Sequence, residues 1–319
     1  MSVLTLTEEQ VRELLTMEMA LEAVETAFRK MALDEVENVP RARARTDHVM
    51  LHVMSSAAKT LGYLGYKAYS TSRHGARFHV GLFEGKTGEL LALIQADYLG
   101  QARTGAASGV ATKFMARPEA KTVGIFGAGK QARTQLEAIC LVRSIEQVKV
   151  YSRAPEHREA FAQEMSQRCQ TEVTAVANPE EAARGMDVIV TATNSRDPVL
   201  FGEWVDPGTH LNVIGSNFRG KIEVDLETIQ RAQNVIVDAK DQARIEAGDL
   251  VPAINKGILH WTDVGELSQV VVGRRTAREK PEDVTLFKSL GIALEDVAVA
   301  GRIYEKAKAN GIGQALEWS

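Results

Sequence analysis

Cysteine is scarce: two residues, Cys140 and Cys169, stand alone in 319, and no CxxC or HExxH spacing involves them or the seven histidines. A disulfide framework and a structural metal are therefore not expected, and two isolated thiols fit a reduced, cytoplasmic setting. Long apolar runs are also missing. No segment approaches the roughly 18 residues of a membrane span, and Met1-Ser2-Val3 leads into Glu8-Glu9 without an apolar signal core, so neither insertion nor export is expected. There is no excess of positive charge, 38 basic residues standing against 42 acidic ones for a net −4. A nucleic-acid partner is therefore not indicated, and small molecules are the expected ligands. Nucleophilic catalysis finds no support either, because no G-x-S-x-G elbow or activated cysteine is visible. What is present is an ordinary soluble balance, 45% hydrophobic and 25% charged, in a chain long enough for two domains.

Thr7-Glu8-Glu9-Gln10 has the pattern of a capping box, and Leu21, Val24, Phe28 and Met31 repeat at helical spacing, so the chain is expected to start with helices. After Pro40 the pattern changes to period two, with Arg41, Arg43 and Arg45 alternating with alanine and Tyr63, Gly65, Lys67 and Tyr69 repeating likewise. Residues 40 to 97 are expected to form one antiparallel sheet. From Lys121 strand and helix alternate strictly: “KTVGIFG”, a helix from about 129 to 143, “QVKVYS”, a helix near 156 to 169, “EVTAV”, “MDVIVTAT”, “HLNVIGS” and “NVIVDA”. Valine- and isoleucine-rich runs between amphipathic segments predict a doubly wound parallel sheet of Rossmann type. A last helix, carrying Ile292, Val299 and Ile303 and ending at Asn310-Gly311, is expected to return to the first domain. The α/β fold is thus divided into a second, α+β domain (residues 1–115 with 296–319) and the Rossmann-type domain (residues 116–295).

Gly127-Ala128-Gly129-Lys130-Gln131-Ala132 is a G-x-G-x-x-A that follows a strand and opens a helix. The first glycine permits the turn, the second admits a pyrophosphate to the backbone, and Ala132 keeps the helix close to the sheet. An acid at the end of the next strand would select NAD. Ser152 and Arg153 stand there instead, a hydroxyl and a guanidinium suited to a 2′-phosphate, so NADP(H) is favoured with NAD(H) possible.

Three cations of the first domain ask for an anion. Lys67, in “YLGYKAYS”, has aromatic and small neighbours and needs a counter-charge. Arg103, in “GQARTGAASG”, is placed in the first turn of a small-residue helix, where a cation opposes the macrodipole unless an anion binds. Arg41 follows Pro40 on the strand with one basic face. His52, His74 and His79 fit core or edge histidines. In “NVIGSNFRGKIEVD” an apolar strand ends in Gly215-Ser216-Asn217, with no carboxylate before Glu223. Such strand ends are where open α/β proteins place ligands.

Taken together, “QARTGAASGVATKFMARPEA”, “GIFGAGKQA”, “VLFGEWVDPGTHLNVIGSN” and “FKSLGIALEDVA”, in this order, resemble the ornithine cyclodeaminase and mu-crystallin family over nearly the whole chain. The resemblance implies a homodimer, with the first domain supplying the dimer sheet and the substrate pocket. It implies a carboxylate-binding trio of Arg41, Lys67 and Arg103. It places Gly127 to Gln131, Thr104, Ser152, Arg153, Thr191, Ala192, Thr193, Gly215, Ser216, Asn217, Lys221, Ser289 and Leu290 against the dinucleotide. Where the cyclodeaminase has a proton-carrying aspartate this chain has Asn217, and where it has a substrate-facing glutamate the chain has His52. An asparagine cannot accept a proton, so ammonia-releasing cyclisation loses its acid-base group. Reduction of an already protonated imine needs only a positioned nicotinamide, a carboxylate clamp and a polarising donor. The expectation is an NAD(P)H-dependent reductase of α-imino acids such as pyrroline-2-carboxylate or piperideine-2-carboxylate, with Lys67 and Asn217 at the reacting centre. The alternatives are an NAD-dependent ornithine cyclodeaminase, an alanine-dehydrogenase-like enzyme, and an NADPH-dependent small-molecule binder of mu-crystallin type.

Overall fold

The amino terminus does not begin with a helix. In the computed structural model, which describes residues 2–317, Ser2–Leu6 forms a strand, β1, whose Val3 and Leu6 are buried. The capping box follows it as expected: the Thr7 hydroxyl accepts from Gln10 N and the Gln10 side chain accepts from Thr7 N, opening α1 (Glu8–Leu14). Five residues, Ser2-Val3-Leu4-Thr5-Leu6, are too short a stretch to stand out beside that helix signal, and β1 owes its form to the strands that flank it.

The chain divides into two units, Met1–Arg103 with Ile292–Ser319 and Thr104–Gly291. In the first, α1 is followed by α2 (Met17–Ala32), β2 (Val36–Arg45), β3 (Val49–Ala58), β4 (Tyr63–Ser72), β5 (Gly75–Glu84), β6 (Leu90–Gln95) and the start of α3 (Asp97–Met115). The unit is completed by α10 (Ala293–Asn310) and β15 (Gln314–Glu317). The seven strands run in the order β15-β1-β6-β5-β4-β3-β2. The sheet is mixed rather than wholly antiparallel, because β1 pairs with β6 in parallel. β2 to β6 form the expected meander, with His52 opposite Tyr69, Met54 opposite Lys67 and Tyr69 opposite Phe78. α10 packs on β3, β4, β5 and α2. It ends at Gly311 with φ 65°, the left-handed cap that asparagine followed by glycine signals. In α2, Val24 and Phe28 are fully buried, whereas Leu21 and Met31 are half-buried at the edge of the stripe.

The second unit carries β7 (Thr122–Phe126), α4 (Lys130–Val142), β8 (Gln147–Tyr151), α5 (Pro155–Cys169), β9 (Glu172–Ala175), β10 (Val188–Thr191), β11 (His210–Val213) and α6 (Leu226–Arg231). It continues with β12 (Ala232–Val237), α7 (Lys240–Glu246), α8 (Val251–Asn255), β13 (Gly265–Glu266), α9 (Leu267–Val271) and β14 (Val284–Lys288). The eight strands, all parallel, are ordered β13-β12-β14-β11-β10-β7-β8-β9. Read from β9, the first five follow the 3-2-1-4-5 order of the Rossmann fold, with the switch point between β7 and β10. β14 was not anticipated. “VTLFK” is a fully buried strand slotted between β11 and β12, although it comes after both in sequence. Separate apolar clusters, one centred on Leu136, Ile139 and Phe161 and one on Leu211, Val237 and Leu286, cover the sheet. Burial on both faces explains the continuous apolar strands.

Candidate functional site

The glycine loop takes the shape that its sequence requires. Gly127 lies at φ 107°, and a Cβ there would come within 2.5 Å of Ala192 O, so no other residue makes this turn without strain. Gly129 caps α4 with no side-chain hydrogen bond, and a Cβ added to it would meet nothing within 4 Å. No side chain caps the first turn of α4, which leaves room beside the glycines for an acceptor, as a pyrophosphate site needs. Ala132 is fully buried against the sheet.

A cavity of about 560 Å³ opens at this loop, at the carboxyl ends of β7, β8 and β10. It brings together Gly127 to Gln131, Ser152, Arg153, Ala192 and Thr193 from the expected residues, and adds Tyr151, His157, Asn194 and Ser195. None of its lining residues is acidic. Size, glycine cradle and uncapped helix fit a dinucleotide, whose nicotinamide supplies a hydride when bound.

The remaining expected cofactor residues lie elsewhere in this unit. Thr104 uses its carbonyl to accept from Gln135 Nε2. Ser289 and Leu290 are buried, and Leu290 N donates to Asp238 Oδ2 at 2.6 Å. The Ser216 hydroxyl donates to Lys221 O at 2.8 Å, closing the turn that leaves Asn217 half-buried. Thr191 donates its hydroxyl to Glu223 Oε2 at 3.0 Å. Burial pushes the Glu223 carboxyl above its usual range, against the pull of the Lys288 ammonium.

In the first unit Arg41, His52, Lys67 and Arg103 are all buried. The register of β2 against β3 shifts between Val39 and Ala42, a bulge at Pro40-Arg41 of the kind a proline-bearing strand accommodates. The Arg41 guanidinium lies 5.9 Å from the Tyr69 ring centroid. Tyr69 stacks between His52 at 4.2 Å and Phe78 at 5.0 Å, and Lys67 Nζ sits 5.5 Å from the Phe78 ring. These contacts chain the basic residues along one wall of aromatic rings.

Arg103 departs from the expectation in its position. α3 begins at Asp97, so Arg103 is in the second turn rather than the first, and the helix-end dipole does not account for it. The counter-charges come from α10 instead. Asp296 Oδ1 accepts from Lys67 Nζ at 2.6 Å and from Arg103 Nε at 3.1 Å, and Glu295 Oε2 accepts from Arg103 Nη1 at 2.6 Å. Both acids are fully buried. The pair was missed because “ALEDVAVAG” looks like an ordinary acidic first turn. The signal lay in the opposite direction, since buried Lys67 and Arg103 require buried acids.

Burial draws Lys67 down to about 8, with the charges of Arg103 and Arg41 adding to it and Asp296 opposing it. His52 is drawn down to about 4 by burial and by Arg43 and Arg41. His52 is therefore neutral at pH 7, with Nε2 3.1 Å from the Thr71 hydroxyl. The first unit thus offers buried cationic donors for a carboxylate and one ammonium near its titration point. No group of three or more metal-ligating side chains is assembled among the described residues.

A model of the ornithine cyclodeaminase/mu-crystallin family matches residues 1–311. The chain belongs to this family. A Delta(1)-pyrroline-2-carboxylate reductase of Bacillus cereus (strain ZK / E33L) is 39% identical over 274 residues, covering 83% of this chain and 84% of the relative. The solved Delta(1)-pyrroline-2-carboxylate reductase of Thermococcus litoralis, in complex with NADH and L-proline, superposes with a TM-score of 0.95 at 34% identity. That match covers 98% of this chain and 100% of the other. An archaeal alanine dehydrogenase, solved as a dimer with bound NAD, gives a TM-score of 0.95 at 35% identity over the full length of both chains.

Proposed function

We propose that the protein is an NAD(P)H-dependent reductase of α-imino acids that converts cyclic ketimine carboxylates, of the pyrroline-2-carboxylate or piperideine-2-carboxylate kind, to L-amino acids. The observation that carries this reading is the buried trio of Arg41, Lys67 and Arg103 in one unit, with Lys67 poised at about 8. A reduction of this kind needs a holder for the carboxylate and a holder for the dinucleotide, and each unit supplies one. The reductase relatives, one of them solved with NADH and L-proline, support the same chemistry.

In this scheme Arg41 and Arg103 hold the substrate carboxylate, and Lys67 joins them with an ammonium that donates to it or to the imine nitrogen. Asp296 keeps Lys67 charged near neutral pH despite its burial. His52, neutral and stacked on Tyr69, shapes the wall and does not serve as an acid. Asn217 replaces a proton carrier with an amide that can only hydrogen-bond, which favours reduction over cyclodeamination. The dinucleotide cavity makes up the second unit's share, and the family resemblance adds Thr104, Ser216, Lys221, Ser289 and Leu290 to the cofactor's contacts.

Ser152 and Arg153 in a cavity lined by no acid favour NADP(H), while the Thermococcus and archaeal relatives were solved with NADH and NAD. A homodimer accords with the archaeal relative and with an apolar face on β2 and β3, where Val39, Val49, Leu51 and Val53 are 39–48% exposed. Two free cysteines suit the cytoplasm. No helix among the described residues is long and apolar enough to cross a membrane.

Steady-state oxidation of NADPH and NADH with both cyclic ketimines, and with pyruvate plus ammonia or methylamine, tests this function. Turnover of a cyclic ketimine with formation of L-proline or L-pipecolate is expected. Ammonia released from ornithine with catalytic NAD, and no imine reduced, would replace reduction by cyclodeamination.

A further inference from the structure

Glu223 is fully buried, yet nothing about “NVIGSNFRGKIEVD” marks it beyond its place as the first acid after the turn. The chain folds back so that this carboxylate lies beneath the ends of two neighbouring strands. Its Oε1 accepts from Thr193 N at 2.7 Å and from the Thr193 hydroxyl at 2.8 Å. Its Oε2 accepts from the Thr191 hydroxyl at 3.0 Å and from Gly215 N at 2.6 Å. Thr191 ends β10, and Gly215 lies two residues beyond β11. One carboxylate therefore ties together two loops that adjacent parallel strands would otherwise leave independent.

The rest of the cluster fixes the tie from below. Asp249 Oδ1 accepts from Glu223 N at 2.6 Å and from Val224 N at 3.3 Å, while Lys288 Nζ stands 2.9 Å from Asp249 Oδ2. Lys288 and Asp249 are themselves buried. Gly215 is needed for the close approach: a Cβ there would lie 2.1 Å from Thr193 O and 2.5 Å from Glu223 Oε1. Both of the carboxylate's oxygens are engaged by donors of the protein itself, so the group is spent on shaping the backbone and is not exposed for chemistry.

The position of this tie decides its purpose. In a 3-2-1-4-5 sheet the loops after β7 and β8 hold one half of a dinucleotide, and the loops after β10 and β11 face the other half across the switch point. The glycine loop with Ser152 and Arg153 belongs to the first half; the loops tied by Glu223 belong to the second.

We propose that Glu223 is the positioning residue for the nicotinamide half of the cofactor, acting through the backbone of Thr193 and Gly215. The proposal rests on the dinucleotide reading of this unit. An isosteric amide presents an N–H₂ to two of the four donors and cannot satisfy them all, which releases one loop from the other.

Calorimetric titration of wild type, Glu223→Gln and Glu223→Asp with NADH and with ADP separates the possibilities, because ADP lacks the nicotinamide half. Glu223→Gln is expected to weaken NADH binding about ten-fold or more while ADP binding changes less than about two-fold. Glu223→Asp keeps the charge and is expected to recover part of that loss; if the glutamine variant does not fold, the aspartate variant carries the same comparison with a smaller NADH loss. Unchanged NADH affinity in Glu223→Gln overturns the proposal and leaves the dinucleotide reading standing. An equal loss for ADP and NADH also overturns it, since the residue would then be a general support of the unit. Wild-type protein that binds none of NADH, NADPH and ADP overturns the dinucleotide reading and the proposal with it; if it binds NADPH alone, the same comparison is made with NADPH and 2′-phospho-ADP-ribose, and the same outcomes decide it.

Discussion

Asp296→Asn keeps the shape of the side chain and removes the one oxygen charge that Lys67 and Arg103 share, at 2.6 and 3.1 Å. Lys67 and Asp296 are 2% and 0% exposed, so water does not compensate. Breaking a buried ion pair by neutralising one partner costs about 3–5 kcal/mol. Arg103 retains Glu295, which places the expected loss at the lower end, about 3 kcal/mol. The variant also alters the titration of Lys67. In the wild type Lys67 titrates at about 8, below its ordinary 10.5. Between these values the unfolded chain binds the additional proton, so the stability linked to Lys67 rises with pH across this window and is lost as pH falls through about 8. If the ammonium serves the reaction, kcat/KM for imine reduction falls as pH rises through about 8. Without the Asp296 charge the ammonium is less favoured, and this descending limb moves to about pH 7 or below. Urea unfolding and a pH profile of kcat/KM check the two effects on one preparation. A variant as stable as the wild type, with its limb still near 8, would refute the assignment of Asp296 as the counter-charge that holds the clamp.

Three further outcomes are expected. Gly127→Ala forces a Cβ to within 2.5 Å of Ala192 O at φ 107°, and is expected to cost about 1–3 kcal/mol and to abolish the quenching of protein fluorescence by NADH; undiminished NADH binding would contradict the loop's role. Arg153→Asp is expected to shift the ratio of kcat/KM for NADPH over NADH towards NADH by about ten-fold or more, and an unchanged ratio removes Arg153 from the 2′-phosphate. Leu51→Glu puts a charge on the apolar face of β3, where Leu51 is 45% exposed. Sedimentation velocity is expected to report monomer for it and dimer for the wild type, and an undisturbed dimer would put the interface elsewhere.

Much of the fold was legible because burial on two faces leaves a simple record. Apolar runs such as “KTVGIFG” and “MDVIVTAT” state that a strand is covered on both sides, and the glycine loop states where the first helix starts. β14 and β1 were not legible for the same physical reason: each takes its strand identity from neighbours distant in sequence, β14 between β11 and β12 and β1 between β6 and β15. At the site, Lys67 could be singled out because a cation among aromatic and small neighbours is conspicuous, whereas Arg103 stood out for a first-turn position that α3 does not give it, and Arg41 for its place after Pro40. Their partners Glu295 and Asp296 could not, since acids near a helix start are common and carry no mark of burial. Glu223 was hidden more deeply. Its importance comes from a reversal of the chain that brings it under Gly215, and no spacing in “GSNFRGKIE” encodes that contact.

In the proposed reaction, hydride passes from a bound nicotinamide to the imine carbon of a substrate whose carboxylate is held by Arg41, Lys67 and Arg103. Its most direct test is reduction of pyrroline-2-carboxylate with NADPH deuterated at both C4 positions, followed by mass spectrometry and proton NMR of the product. L-Proline carrying one deuterium at Cα is the predicted result. Cofactor oxidised without deuterium at Cα, or no product from any cyclic or acyclic imino acid tried, would contradict it.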